Sequence, residues 1–171
     1  IYQGKILNLR VDTVQVGDGP EVEREVVEHL DSVVIVPITM TGQIFLVRQW
    51  RHAVNATLLE LPAGHIDGDE QPVAAARREL REETGYTAAR LEPLPSFWAA
   101  PGWATEYMHA FLATELSESA LEQDDDEDVT LERVSLSDVP VLIKEGNITD
   151  AKTIAALLSA LYLFPEAMPA N

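Results

Sequence analysis

The chain has 171 residues, 46% of them hydrophobic, and a formal net charge of −17. Its length and hydrophobic content suit one domain with a single core, and no apolar run is long enough to span a bilayer. The acidic balance argues against a nucleic-acid partner, and the absence of cysteine excludes disulfides, thiolate zinc sites and cysteine nucleophiles. A cytoplasmic location is the default expectation.

The first 30 residues have the pattern of an antiparallel strand pair. Apolar and polar side chains alternate over residues 5–16 and 21–29, and the segment 17–20 between them reads Gly-Asp-Gly-Pro, a turn sequence. Terminal strands of this kind need a pairing partner. We therefore expect residues 1–30 to form an arm that extends the main sheet, folds on its own subunit or reaches a second subunit. Residues 31–171 are predicted to form the main domain.

Two apolar segments follow the arm. A strand is predicted over residues 32–39, although Pro37 interrupts it, and the turn at Thr41-Gly42 leads into a second strand over residues 43–49. This arrangement predicts a β-hairpin. A further short strand is predicted over residues 58–61.

A helix is predicted over residues 72–84. Pro72 is tolerated in a first helical turn, and Gly85 suits the position just after the last one. Apolar or small side chains recur every three or four residues and predict a buried side opposite the glutamates of the helix: Val73, Ala76, Leu80 and Thr84.

The C-terminal half alternates strands and helices. The predicted strands cover residues 91–99, 106–114 and 130–135, and the predicted helices cover residues 137–145 and 151–164. Asp150 is expected to cap the last helix, and residues 118–128 form an acidic loop. Strands followed by a helix, more strands and two helices indicate an α+β sandwich.

The predicted helix over residues 72–84 carries a cluster of carboxylates. Glu79, Glu82 and Glu83 fall within an arc of about 100° on one helix face, where like charges repel one another. A hard cation such as Mg²⁺ or Mn²⁺ would relieve that repulsion, because both ions prefer oxygen ligands. The alternative is an ordinary solvated acidic face.

The residues around the cluster match a known pattern. Gly64, Glu70 and the run Arg78-Glu79-Leu80-Arg81-Glu82-Glu83-Thr84-Gly85-Tyr86 reproduce the Nudix box, G-x5-E-x7-R-E-U-x-E-E-x-G-U, without a departure. The chain therefore resembles the Nudix hydrolases. The resemblance implies an α/β/α sandwich with a mixed sheet. It also implies hydrolysis of a nucleoside diphosphate linked to another group, with Mg²⁺ as cofactor and Mn²⁺ as the alternative.

The resemblance also implies roles for the box residues. Glu79 and Glu83 would be direct metal ligands, Glu82 a further ligand, and the main-chain carbonyl of Ala63 a fourth donor. Arg78 stands four residues before Glu82, so it can reach that carboxylate and hold it in its ligating conformation. The alternative for Arg78 is an ordinary helix salt bridge.

Segments outside the box resemble the ADP-ribose pyrophosphatase branch of the family. They are Val47-Arg48-Gln49-Trp50-Arg51, Leu59 to Gly64, Pro101 to His109 and Gly146 to Thr153. The branch implies a homodimer that converts ADP-ribose and water to AMP and ribose 5-phosphate, with the arm donated across the two-fold axis. Ala100 replaces the serine common in this branch. The alternatives are another nucleotide sugar, a dinucleoside polyphosphate or an oxidised nucleoside triphosphate as substrate, or a non-catalytic nucleotide-binding regulator.

Five positions are candidates for substrate contacts. Arg51 presents a planar fork that suits a diphosphate. Trp50, or alternatively Trp103, could stack on adenine, although both could also be partial core. Glu60 could accept hydrogen bonds from adenine or ribose, or lie on the surface. The pair Pro101-Gly102 is expected to border the same pocket.

The general base is predicted to come from the acidic loop. In the ADP-ribose branch a glutamate of the matching loop swings over the site, and Glu127 is our choice from its place before the strand over residues 130–135. Asp126 and Glu122 are alternatives, and the loop could instead be only a solvated surface loop. If the loop stays open, Glu82 could activate the water.

Overall fold

The computed structural model describes residues 1–119 and 129–165. Within these ranges the strands are β1 (Tyr2–Gln3), β2 (Leu7–Gln15), β3 (Glu21–His29), β4 (Ser32–Pro37), β5 (Gln43–Arg51), β6 (Ala56–Glu60), β7 (Ala63–His65), β8 (Tyr86–Pro93), β9 (Phe97–Trp98), β10 (Tyr107–Glu118) and β11 (Val129–Ser135). The helices are α1 (Pro72–Thr84), α2 (Val139–Lys144) and α3 (Ala151–Leu163). None of these helices is long and apolar enough to cross a membrane.

The described strands form three sheets. The first is antiparallel in the order β1-β2-β3, and the third is antiparallel in the order β11-β5-β6. The second has the order β7-β4-β10-β8, with β9 also pairing with β10. It is a mixed sheet, because β4 and β10 are parallel whereas the other pairs are antiparallel.

Strand β4 divides the core into two layers. All six of its residues are buried, and side chains alternate between the two faces of a strand. Val33 and Ile35 pack in the cluster that contains Leu80 of α1, whereas Val34 and Val36 pack in the cluster that contains Leu157 of α3. The central sheet therefore lies between helices on both faces, so the predicted α+β class and α/β/α sandwich are confirmed.

The predicted hairpin between the first two strands of the main domain is wrong. Strand β4 pairs with β7 and β10, while β5 pairs with β6 and β11 in another sheet. A single bridge between Ile38 and Ile44 joins the two segments. Pro37 has no N–H to extend a ladder, and the turn closed by the bond from Gly42 N to Thr39 O carries the chain across.

Helix α1 has the predicted bounds. Gly85 follows it with φ +75°, a left-handed conformation that glycine adopts easily, and its N–H donates to Arg81 O. The predicted buried side is only partly correct. Ala76, Leu80 and Thr84 are buried, but Val73 is 46% exposed. The side of the helix that carries Glu79 and Glu83 is buried as well.

The remaining strands and helices lie near their predicted positions, but their ends are shifted. Strand β8 begins five residues before the predicted start at 91, and β10 continues to Glu118. A 3-10 turn over Leu136–Asp138 precedes α2, so the helix predicted over 137–145 is shorter than expected. Asp150 caps α3 as predicted, with its side chain accepting from Thr153 N.

The N-terminal arm forms its own antiparallel sheet, as the alternating pattern predicts. None of residues 1–30 is buried. At Val27 the arm is fastened to the body through main-chain groups, since Val27 N donates to Trp103 O over 2.8 Å and Thr105 N donates to Val27 O over 3.0 Å. The arm therefore does not extend the main sheet. Its treatment as a unit separate from residues 31–171 remains a prediction.

Candidate active site

Helix α1 brings two of its carboxylates into the interior. Glu79 is 8% exposed and Glu83 3% exposed, whereas Glu82 is half-buried. Glu83 Oε2 accepts a hydrogen bond from Ala63 N at 3.1 Å. Glu79 lies so close to Gly64 that a Cβ at that position would overlap its carboxylate. Gly64 is thus required for close approach between β7 and the helix.

Arg78 joins the carboxylates of the box. Its Nη1 donates to Glu79 Oε1 at 2.7 Å and to Glu82 Oε2 at 3.0 Å. Its Nη2 donates to Glu70 Oε2 at 3.0 Å and to His65 O at 2.9 Å. Burial lowers the pKa of Arg78, but the hydrogen bond to Glu70 and the charge of Glu79 outweigh this and raise the pKa above its usual value. Arg78 therefore stays charged, and it contacts more of the cluster than the predicted partner Glu82.

The donor types in this cluster fit a hard divalent cation. Buried carboxylates need a counter-charge, and two of them lie one turn apart beside the main chain of Ala63. Across the described ranges, however, no group of three His, Asp or Glu side chains is already arranged to hold a metal ion. Because Arg78 binds both Glu79 and Glu82, holding a cation requires these side chains to rearrange.

A cavity of about 760 Å³ opens beside the cluster. Its volume lies within the range of small-molecule sites. Ala63 and Gly64 form part of its wall, which places it next to Glu79 and Glu83. The other lining residues include Ile6, His29, Ser32, Arg51, Ala53, His65, Phe97, Trp98, Glu106, Met108, Asp150 and Lys152.

Arg51 lines the cavity, and Glu60 lies behind it. Nε and Nη2 of Arg51 each donate to one oxygen of the Glu60 carboxylate at 2.8 Å. Glu60 is 1% exposed, so its predicted surface alternative is wrong. Both of its oxygens thus accept a hydrogen bond from Arg51, and Lys152 Nζ also contacts Oε2. Its contacts show that it holds Arg51 in place, and hydrogen bonds from adenine or ribose to Glu60 remain a prediction.

Arg51 and Lys152 stabilise the charged form of Glu60, and Glu60 stabilises that of Arg51. Burial alone raises the pKa of Glu60, but the hydrogen bond from Arg51 and the charge of Lys152 outweigh it and bring the pKa below its usual value. The hydrogen bond to Glu60 in turn raises the pKa of Arg51. Lys152 was missed by sequence reasoning. The signal available was its place in the first turn of α3, two residues after the capping Asp150.

Four further polar residues also line the cavity. The rings of His29 and His65 lie 5.0 Å apart, and Ser32 Oγ donates to Glu106 Oε1 at 2.7 Å. Burial, followed by the charge of His29, lowers the pKa of His65. These four residues belong to separate segments, and nothing in their spacing along the chain indicates that they share a wall.

The other predicted substrate contacts lie away from the cavity lining. Trp50, Trp103 and the pair Pro101-Gly102 are exposed and are not among the lining residues of this part of the chain. Trp98, which the sequence did not single out, does line it, with its ring 4.8 Å from that of Tyr107. Contacts of Trp50, Trp103 and Pro101-Gly102 with substrate remain predictions.

The predicted general base lies outside the described residues. Glu127, Asp126 and Glu122 all belong to the segment between residues 119 and 129. Strand β11, which begins at Val129 immediately after it, pairs with β5 so that Val129 is opposite Gln49. Gln49 is two residues from Arg51 along that strand.

Comparisons with known proteins support the family indicated by the Nudix box. The NUDIX domain profile matches residues 28–157. The ADP-ribose pyrophosphatase of Bacillus subtilis (strain 168) is 40% identical over 159 residues, which are 92% of this chain and 86% of that protein. The GDP-mannose pyrophosphatase of Citrobacter koseri is 34% identical over 152 residues, which are 82% of this chain and 78% of that protein.

The fold of the chain also matches that of a solved structure. A crystal structure described as an ADP compounds hydrolase superposes with a TM-score of 0.76 at 24% identity and covers 97% of this chain and 98% of its own. The sequence matches extend over most of the chain, and they include both the carboxylate helix and the strands that build the cavity. The chain therefore belongs to the Nudix family of hydrolases.

Proposed function

We propose that the chain hydrolyses the pyrophosphate bond of ADP-ribose to give AMP and ribose 5-phosphate, with Mg²⁺ as the metal and Mn²⁺ as a substitute. The observation that carries the proposal is the position of the carboxylates of α1 beside a cavity that Arg51 lines. Nudix hydrolases generally use a divalent metal. The relative from Bacillus subtilis is an ADP-ribose pyrophosphatase, which favours this substrate over others.

The box residues would hold the metal. Glu79, Glu83 and the carbonyl of Ala63 are the proposed direct donors, and Glu82 is a further one. The metal supplies charge neutralisation at the phosphate oxygens and a more acidic water. Arg78 keeps the carboxylates close together, because its two Nη atoms bind both sides of the cluster. Metal binding then requires Arg78 to give up part of these contacts.

Arg51 would bind the diphosphate. Its pair with Glu60 uses Nε and Nη2, so Nη1 lies outside that pair and on the side chain that lines the cavity. A guanidinium that is already oriented loses less conformational entropy when it meets an anion. Trp50 or Trp103 is proposed to stack on adenine, and Pro101-Gly102 to border the same pocket.

The reaction needs a water and a base. A water oxygen forms a bond to one phosphorus while the bond from that phosphorus to the bridging oxygen breaks, and the bridging oxygen leaves with the other phosphate. The proton of the water passes to a carboxylate. We propose Glu127 as this base, with Asp126 or Glu122 as alternatives and Glu82 if the loop stays open. Attack at either phosphorus gives AMP and ribose 5-phosphate.

A substrate panel tests the proposal. We expect ADP-ribose to give the highest kcat/KM, at least about tenfold above GDP-mannose, because one mismatched pocket contact is worth about this much or more. Turnover should stop in EDTA and return with Mg²⁺ or Mn²⁺. GDP-mannose is the second candidate, since a relative that is 34% identical acts on it by name. A higher kcat/KM for GDP-mannose, or for an oxidised nucleoside triphosphate, would overturn the proposal. Nucleotide binding without turnover would indicate a regulator.

We also propose a homodimer in which each arm helps to shape the adenosine pocket of the other subunit. The arm exposes large apolar side chains that a partner would cover: Ile1, Tyr2, Ile6, Leu7, Val16 and Leu30. Within one chain, Ile6 and His29 of the arm already line the chain's own cavity. The arm therefore stands where it can affect substrate binding, whether it is exchanged or not.

Removal of residues 1–30 tests whether the arm holds the dimer together and contributes to substrate binding. The deleted chain should be monomeric by light scattering and show a KM for ADP-ribose raised by about tenfold, the cost of one lost pocket contact. The core should survive, because none of residues 1–30 is buried. Deletion of β1 alone is the control for a simple change in length. A truncated chain that remains dimeric with a normal KM would contradict the exchange.

A further inference from the structure

Lys152 shares a buried carboxylate with Arg51. Both cations bind Glu60, which is 1% exposed, and both line the cavity beside the carboxylate helix. They arrive from different elements, Arg51 from the end of β5 and Lys152 from the first turn of α3. Neither the family box nor the substrate contacts predicted above include Lys152.

Asp150 lies beside Arg51, Glu60 and Lys152, and its carboxylate caps the N-terminus of α3. Its Oδ2 accepts from Thr153 N at 3.0 Å and from Thr153 Oγ1 at 2.6 Å, and Lys152 Nζ lies 3.0 Å from the same oxygen. An N-terminal carboxylate of this kind is balanced largely by the helix dipole and the unpaired N–H groups of the first turn. Asp150 therefore fixes Lys152 in place more than it cancels its charge.

The count of charges at Glu60 matters for an anionic ligand. A guanidinium that is paired with a carboxylate and has no other counter-charge forms a neutral unit, which attracts a phosphate weakly. A second cation on the same carboxylate gives these three groups one positive charge in excess, which Asp150 beside Lys152 offsets in part. In a partly buried site such a charge acts over several ångströms. Among the described residues that line the cavity, Arg51 and Lys152 are the only arginine or lysine.

We propose that Lys152 is a positioning residue for the diphosphate of the substrate: it neutralises Glu60 and so makes the charge of Arg51 available to the phosphates. The inference rests on the function proposed above. Lys152 acts through Glu60 and Arg51 and is not itself a phosphate ligand. Its loss therefore weakens substrate binding, while the chemical step at the carboxylates of α1 is little affected.

The first variants are Lys152→Met and Lys152→Arg. Methionine keeps the length of the stem without the charge, and it leaves Glu60 paired with Arg51, so the fold should persist. We expect the KM for ADP-ribose and the Kd for ADP, measured by calorimetry, to rise about tenfold with kcat within about threefold of wild type. Arginine should restore both. Lys144→Met, which removes an exposed lysine at the end of α2, is the matched control and should change neither.

A double variant separates positioning from direct contact. Lys152→Met combined with Glu60→Gln removes one charge of each sign, so the positive charge of Arg51 is again in excess. If Lys152 acts through Glu60, the Kd for ADP should return to within about threefold of wild type, far below that of Lys152→Met alone. If the double variant binds ADP as weakly as Lys152→Met or more weakly, Lys152 contacts the phosphates directly and the proposal is overturned.

Failure of this inference can be told from failure of the proposed function. If the wild-type chain hydrolyses ADP-ribose and binds ADP, but Lys152→Met has an unchanged KM and Kd, only the role of Lys152 is wrong. If the wild-type chain neither hydrolyses ADP-ribose nor binds ADP, the proposed function is wrong and this inference falls with it. Thermal unfolding of each variant ensures that binding is compared between folded proteins.

Discussion

Replacement of Glu82 with glutamine is expected to lower kcat by about 10²-fold or more, because Glu82 is a proposed metal ligand and the alternative general base. Glutamine has nearly the same shape, so the effect isolates the negative charge. Glu82 is half-buried and its hydrogen bond from Arg78 Nη1, at 3.0 Å, can still be accepted by the amide oxygen. The fold should therefore persist. Steady-state kinetics at saturating Mg²⁺ and thermal unfolding measure the two properties.

The control for this variant is Glu145→Gln. Glu145 is exposed at the end of α2, far along the chain from the box, and its replacement makes the same chemical change. It should leave kcat within about twofold of wild type, as surface substitutions usually do. Unchanged turnover in Glu82→Gln would refute the assignment of Glu82 to the metal or to the activation of water.

Replacement of Gly64 with alanine is expected to lower kcat by about 10²-fold, the cost of moving a catalytic group by about 1 Å. The added methyl group would overlap the carboxylate of Glu79, which would have to turn away from β7. The backbone itself permits alanine, because Gly64 is not among the residues with positive φ. The damage should therefore fall on the site and spare the fold.

Two measurements check this separation. A Mg²⁺ titration of activity should show a weaker apparent affinity for the metal, since one proposed ligand is displaced. Thermal unfolding should still show one cooperative transition, with Tm lowered by no more than about 10 °C, because only the contact between Glu79 and Arg78 is disturbed. A variant with normal kcat at every Mg²⁺ concentration would mean that Glu79 does not bind the metal in this position.

Local signals in the sequence account for the correct part of the prediction. Helix α1 has its predicted bounds because Pro72 and Gly85 suit its two ends by their own backbone preferences. The box residues are close in the chain, so their clustering on one helix follows from spacing alone. The arm was predictable for the same reason, since its two strands are adjacent and joined by a tight turn.

Features that depend on distant segments were not predictable. The hairpin prediction failed because β4 is apolar on both faces and pairs with β10, more than 70 residues away. The charge group around Glu60 joins β5, β6 and α3, and no periodicity in any one of them indicates the others. The burial of Glu79 and Glu83 also depends on β7, a strand that the sequence analysis does not predict.

The attachment of the arm at Val27 uses groups that every amino acid except proline possesses. The bonds from Val27 N to Trp103 O and from Thr105 N to Val27 O place no demand on side-chain identity. Mutations can therefore accumulate along the outer positions of the arm without detaching it. Directed evolution of substrate specificity can therefore begin at these positions, where substitutions should destabilise the fold least. Proline should be excluded at position 27.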